Sequence, residues 1–461
     1  MSTPNPHIDD TGAFRVARRP DAFRRMLSSI LDVGRGLLPR TRNGDRAKGR
    51  SAEHVGALCR QLLDHRGEAS GLALADEILS LYQELSASDR VEFFELLVAQ
   101  FEADHETIAN AATAYLDAAD ATTLAALSKA VEAPRRKLFR RLNMVPDGIG
   151  RLVKLRSDLL NVLGERPHLR PLDTDLRNLL IAWFNRGFLV MERIDWTSPA
   201  NVLEKIIEYE AVHEINGWDD LRVRLADDRR CFAFFHPAMP DDPLIFVEVA
   251  LTGETADAIR PLLATDRAIA NSRHADSAVF YSISNCHHGL QGISFGHFLL
   301  KQVIEELRRD LDNITTFVTL SPIPGFRGWL ESIPSKSLPE ARAADVETAR
   351  EFLVESAEPS LDTVSEEQRA SLMRLCAYYL LTAKAGDQPL DPVARFHMSN
   401  GASLQRIHWA ADRSQAGLDR SVGIMVNYLY DLADIEKNHE RYFAEGLLTA
   451  SAEVRKLASV R

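Results

Sequence analysis

The chain has 461 residues, of which 45% are hydrophobic and 26% charged, the profile of a soluble globular protein with room for two or three domains. Its net charge of −11 excludes a general nucleic-acid binder, which needs a basic surface. Four scattered cysteines (Cys59, Cys231, Cys286, Cys376) form no CxxC pair, so neither a zinc ribbon nor a disulfide framework is indicated, and a reducing compartment fits.

No apolar run is long enough to span a bilayer, and no secretory signal is read. Residues 1–50 are arginine-rich, with Arg15, Arg18, Arg19, Arg24, Arg25, Arg35 and Arg40. A mitochondrial transit peptide is the alternative here, but Asp9, Asp10 and Asp21 are wrong for one. The expectation is a disordered or loosely docked tail on a cytoplasmic protein.

Residues 51–168 read as successive helices. Val91, Phe94, Val98 and Phe101 recur at helical spacing, with Ser88 as the expected N-cap. Phe93, Leu96 and Leu97 make that helix apolar almost all round, which suits a bundle interior or a subunit contact. Pro134 opens a further helix, and Pro146-Asp147-Gly148 marks a turn. This is a helical packing or oligomerisation domain. The proline-bearing stretch Glu165–Pro171 places the domain boundary near residue 168, with a second domain over 169–461.

In that second domain the helix Asp175–Arg186 comes first, and Ser198-Pro199 opens another. The period then shortens: Cys231–Phe235 and Leu244–Leu251 read as an antiparallel strand pair separated by a proline-rich loop. Ala278–Ser284 is a strand, a loop with Gly289, Gly292 and Gly296 follows, and Phe298, Leu299, Val303 and Leu307 mark an amphipathic helix. Ile314–Leu320 closes a β-α-β-like unit. The segment 331–389 reads helical, Arg395–Ala411 and Ser421–Asp431 strand-like or irregular, and Ile435–Leu447 as a final helix.

Three places carry candidate chemistry. The free first-turn N–H groups of the helix after the glycine loop suit an anion, although the spacing is neither the Rossmann fingerprint nor a P-loop. The arrangement is similar, loosely, to the way GNAT acyltransferases grip the pyrophosphate of coenzyme A. Ser321 leaves a strand end into Pro322-Ile323-Pro324-Gly325, whose two prolines make a rigid frame. His397 precedes Asn400-Gly401, and histidine is the usual proton-transfer residue near neutral pH. No HxxxH or HExxH spacing indicates a metal site. Spacing alone does not pair Ser321 with His397.

The stretches FFHPAMPDDPLIFVEVALT (Phe234–Thr252), YSISNCHHGLQGISFG (Tyr281–Gly296), TLSPIPGFRGWL (Thr319–Leu330), FHMSNGA (Phe396–Ala402) and VNYLYDL (Val426–Leu432) together resemble the malonyl-CoA decarboxylase family. The resemblance extends to Leu179–Trp218 and more weakly into the helical half. It implies a helical N-terminal bundle and a GNAT-like α/β C-terminal domain with helical insertions, in a homo-oligomer. It implies conversion of malonyl-CoA to acetyl-CoA and carbon dioxide, in fatty acid metabolism, without metal or organic cofactor. The family's catalytic serine, histidine and tyrosine fall on Ser321, His397 and Tyr430. Coenzyme A contacts are expected from Gln291, Gly292, Ile293, Ser294, Phe295, Gly296 and His297, and from Asn400. Ser294 departs from relatives that carry glutamate there. The rival expectations are a GNAT-type N-acyltransferase and a non-catalytic CoA-thioester-binding protein.

Overall fold

The computed structural model describes residues 21–37, 51–293, 298–355 and 361–459. The chain divides into two compact units: Met1–Phe188 with His236–Pro240 and His287–Ser294, and the remainder.

The first unit is helical: α1 (Asp21–Leu37), α2 (Ala52–Asp64), α3 (Glu68–Glu84), α4 (Ala87–Gln100), α5 (His105–Asp117), α6 (Ala121–Ala130), α7 (Pro134–Leu142), α8 (Gly148–Leu163) and α9 (Arg170–Trp183). Their core is Leu, Ile and Phe, with Phe93, Phe94 and Leu97 of α4 fully buried, each such side chain contributing roughly 1.5–3 kcal/mol. The N-cap of α4 is Ser86, whose side chain accepts from the Asp89 N–H, rather than the expected Ser88. Pro134 does open α7, where its missing N–H costs nothing.

Two expectations are corrected. Part of the arginine-rich tail is ordered: α1 buries Leu31 in this core and pairs Arg35 with Asp76 at 3.0 Å. The rest of residues 1–50 lies outside the described residues. The boundary also lies about twenty residues beyond 168, because Leu172, Leu176 and Leu179 of α9 belong to the helical core. Prolines at 167 and 171 start a 3₁₀ turn and α9 instead of a linker. Proline suits a first helical turn as well as it suits a linker.

The second unit is built on a mixed sheet ordered β1-β2-β3-β4-β5-β10-β6, with β9 also pairing β10. Its strands are β1 (Val190–Ile194), β2 (Arg229–Phe235), β3 (Ile245–Thr252), β4 (Ser277–Asn285), β5 (Thr316–Thr319), β6 (Ser321–Pro322), β9 (Ser403–His408) and β10 (Met425–Leu429); β7 (Lys384–Ala385) and β8 (Gln388–Pro389) form a separate ribbon. β1 to β4 are antiparallel neighbours, whereas β4 and β5 are parallel. The β4–β5 crossover is α13 (Phe298–Asp310), as the β-α-β pattern requires.

Helices α10 (Ala200–Tyr209), α11 (Trp218–Arg224) and α12 (Arg260–Leu263) cover the earlier strands. The expected helical insertion is α14 (Phe326–Ser332), α15 (Glu340–Glu355) and α16 (Glu366–Thr382), and α16 buries Leu372, Leu375, Cys376 and Tyr379. Then come α17 (Pro392–Ser399), α18 (Gln415–Ser421), α19 (Ile435–Glu445) and α20 (Ala452–Ala458). This is the expected fold class, a helical bundle followed by an α/β domain with helical insertions.

Candidate active site

β5, β6, β10 and α17 place the site. β10 runs antiparallel to both β5 and β6, pairing Leu429 with Val318 and Val426 with Ser321. That register puts Tyr428 opposite Thr319. Residues 319 and 321 share one face of their strand because side chains alternate with period two. α17 was expected to be strand-like or irregular. It is a helix because Asp391 caps it, accepting from the N–H groups of Val393 and Ala394, and Pro392 opens it. Gly401, at φ +83°, lets the chain leave. His397 therefore projects from the last turn of a capped helix and not from a hairpin.

Ser321 Oγ lies 3.2 Å from His397 Nε2, and His397 Nδ1 lies 2.8 Å from the Tyr430 hydroxyl. The structure thus brings the three expected residues into one line. All three are buried. Ser321 donates its hydroxyl proton to Thr319 Oγ1 at 2.8 Å. Its oxygen therefore accepts from His397 Nε2–H, and the unprotonated Nδ1 of that neutral ring accepts from Tyr430. Burial pushes the His397 pKa down to about 3 and the Tyr430 phenol well above its usual value. Both groups are neutral at physiological pH. The Tyr428 ring stacks on the imidazole at 4.6 Å and 23°, fixing its plane.

Asn400 is buried, and its side-chain amide donates to the Phe396 carbonyl at 2.7 Å. It closes the helix that carries His397. The described part of the glycine loop, through Ile293, belongs to the helical unit. Arg156, itself paired with Asp173 at 2.7 Å, donates to the carbonyls of Gly289 and Gln291, and Arg177 donates to the carbonyl of Gly292. Gln291 and Gly292 are exposed and Ile293 is buried. A side chain at Gly289 would meet the Val153 carbonyl oxygen at 1.9 Å, so that glycine serves close packing. Ser294, Phe295, Gly296 and His297 lie outside the described residues.

Comparison with known proteins shows the family. The family models described as malonyl-CoA decarboxylase C-terminal domain and N-terminal domain match residues 187–461 and 101–184. The chain belongs to the malonyl-CoA decarboxylase family. It is 36% identical over 416 residues to the mitochondrial malonyl-CoA decarboxylase of Anser anser anser, covering 83% of this chain and 82% of that one. The crystal structure of malonyl-CoA decarboxylase from Rhodopseudomonas palustris is 47% identical, with a TM-score of 0.83 over 88% of this chain and 99% of that one. That from Agrobacterium vitis is 45% identical, with a TM-score of 0.80 over 88% and 100%.

Within the site of this malonyl-CoA decarboxylase family member, sequence reasoning missed Thr319, Tyr428 and Asp391. Period-two spacing from Ser321 and Tyr430 reaches Thr319 and Tyr428 and was the available signal. Asp391 lies beside Pro392, a helix-start signature. Its carboxylate also accepts from the Gly325 N–H at 3.5 Å, tying the serine loop to the start of α17. Burial pushes Asp391 up to about 6.

Proposed function

We propose that the chain decarboxylates malonyl-CoA to acetyl-CoA and carbon dioxide, with Ser321, His397 and Tyr430 as the catalytic residues. The observation that carries the assignment of roles is the buried hydrogen-bonded line Tyr430–His397–Ser321. Breaking the malonyl C–C bond sends its electron pair into the thioester carbonyl, giving an enolate as carbon dioxide leaves. That carbonyl is the electron sink, so the reaction is assigned to the chain's own residues without metal or organic cofactor. The Ser321 hydroxyl turns from Thr319 to the malonyl thioester and hydrogen-bonds its oxygen as charge develops there. The enolate carbon takes a proton from Ser321. His397 Nε2 replaces it, and Tyr430 replaces the proton lost by the imidazole at Nδ1. The negative charge passes to the Tyr430 phenol as these protons move, and uptake of one solvent proton restores the line.

Contacts to the coenzyme A moiety are assigned to Gln291–His297 and to Asn400. The helical unit is assigned to homo-oligomer contacts, because α5 and α6 bury no residue of their own and leave Leu116, Leu124 and Val131 exposed. A monomer in sedimentation would overturn that. Among the described residues no helix is long and apolar enough to cross a membrane. A cytoplasmic place is proposed, and imaging of a tagged chain tests it.

The deciding experiment follows products by mass. Purified protein with malonyl-CoA is expected to yield acetyl-CoA and carbon dioxide, and dialysis against a chelator should leave the rate unchanged. Ser321→Ala and His397→Asn are each expected to lower kcat by roughly 10²–10⁴-fold. Near wild-type kcat in both, with the fold intact, removes the assignment. Free coenzyme A released only with an amine acceptor would identify an acyltransferase instead.

A further inference from the structure

A serine oxygen 3.2 Å from a histidine Nε2 is also the geometry of a hydrolytic nucleophile and its base. In a hydrolase the serine proton points at the histidine. Attack of Oγ on a thioester carbonyl would then form an acyl-serine. The histidine would pass the serine proton to the leaving thiolate, and water would release the acid. Such a reaction would consume both substrate and product of the decarboxylation proposed above, on which this inference rests.

We infer that Thr319 is a positioning residue that turns the Ser321 proton away from His397 and so keeps Ser321 a hydrogen-bond donor and not a nucleophile. Thr319 is fully buried at the end of β5. Its hydroxyl oxygen accepts twice, from the Tyr428 N–H at 3.1 Å and from Ser321 at 2.8 Å. Its carbonyl accepts from the Asn427 side-chain amide at 2.7 Å. The acceptor is therefore anchored to β10 on two sides. Because its oxygen takes the serine proton, His397 is left to donate from Nε2 and accept at Nδ1. The Tyr430 hydroxyl, which can donate or accept, then donates to Nδ1 from the other end. Thr319 acts through Ser321, and the two acceptor positions of its hydroxyl oxygen are taken by these two bonds. Without it, the nearest acceptor for the serine proton is His397 Nε2, and the ring must carry its own proton on Nδ1.

The first measurement needs no variant. Long-range ¹H–¹⁵N spectra of histidine-labelled wild-type protein, with His397 assigned by its loss in His397→Asn, should show the proton on Nε2. A proton on Nδ1 overturns the inference. Thr319→Val keeps the shape and removes the acceptor. It is expected to move the proton to Nδ1 and to lower decarboxylation roughly tenfold to a hundredfold. It should also release free coenzyme A from acetyl-CoA and make Ser321 reactive toward a fluorophosphonate probe. Thr319→Ser restores the acceptor and should match wild type in ring form, rate and thioester integrity. An unmoved proton in Thr319→Val, or a serine variant as impaired as the valine one, overturns the inference. If the valine variant does not fold, the wild-type ring form and the serine variant decide. Wild-type protein that makes no acetyl-CoA would sink the decarboxylase proposal while leaving the ring-form result standing.

Discussion

Two buried polar groups of residues in the sheet unit solve the same problem in opposite ways. Arg224 lies between Asp220 at 3.1 Å and Glu248 at 3.0 Å and also donates to the Glu214 carbonyl at 2.9 Å. Tyr430, His397 and Ser321 form a line with no ionised member, and burial is the cause that pushes both His397 and Tyr430 toward neutrality. Charges taken out of water need compensation that is hard to supply in full. Burial and the nearby Glu210 carboxylate push Glu248 up to about 8 despite Arg224, and its Oε1 has no hydrogen-bond partner among the described residues. The difference teaches what a decarboxylation site requires. Charge is to develop on the substrate in the transition state, so the groups around it begin neutral and already aimed.

The largest expected effects cross over between the two groups. Ser321→Ala should remove most of the rate and leave the unfolding free energy within about 1 kcal/mol, because a small neutral donor is lost. Arg224→Met should cost about 3–5 kcal/mol of stability by stranding the Asp220 carboxylate and leaving buried Glu248 without its donor, while kcat per folded molecule stays near wild type. Chemical denaturation alongside kcat reads both. A large loss of stability in the serine variant, or of kcat in folded Arg224→Met, would break the division of labour drawn here.

Much of this architecture was legible in the sequence. Short apolar runs of β-branched and aromatic residues marked β2 to β5, and the 3.6-residue period marked α13 and the bundle helices. Ser321, His397 and Tyr430 were named by motif, but their meeting was not, because 76 residues separate the first two along the chain and no local rule spans a sheet. α17 was misread because Asn400-Gly401 signals a hairpin turn as well as a helix end; only the Asp391-Pro392 start resolves it. The glycine loop was read for its N–H groups. Its described half instead shows carbonyls held by Arg156 and Arg177, and arginines more than a hundred residues upstream could not be assigned to it from pattern.

The two groups should also tilt stability in opposite directions with pH. His397 is held down to about 3, and His213, buried and likewise pushed down, to about 4. An unfolded chain regains ordinary histidines with pKa about 6.5. Between those values the unfolded state binds more protons, so this contribution rises with pH and is lost as pH falls from about 6.5 towards 3. His213→Gln should flatten that acid limb in denaturation curves taken from pH 4 to 7. An unchanged slope would mean that His213 is protonated in the fold. The same shift predicts that His397 adds no ionisation to the kcat profile above about pH 4.

Glu248 works in the reverse sense, and its substitution is expected to have the smallest effect. Its folded pKa of about 8 lies above the ordinary 4.5. Its contribution is therefore full below 4.5 and falls as pH rises towards 8, where the unfolded state releases its proton first. Near neutral pH much of the folded population already carries the neutral acid. Glu248→Gln should then change stability by less than about 1 kcal/mol near pH 4.5, where the wild-type acid is neutral in the fold as well, since Arg224 keeps Asp220 and a neutral acceptor. The variant should also lose the wild-type decline between pH 5 and 8. A loss of 3 kcal/mol or more, about the cost of breaking a buried ion pair, would show that the carboxylate is ionised in the fold. The contrast would then lie in how the two groups are compensated, since both would have kept their resting charge states unaided by protonation.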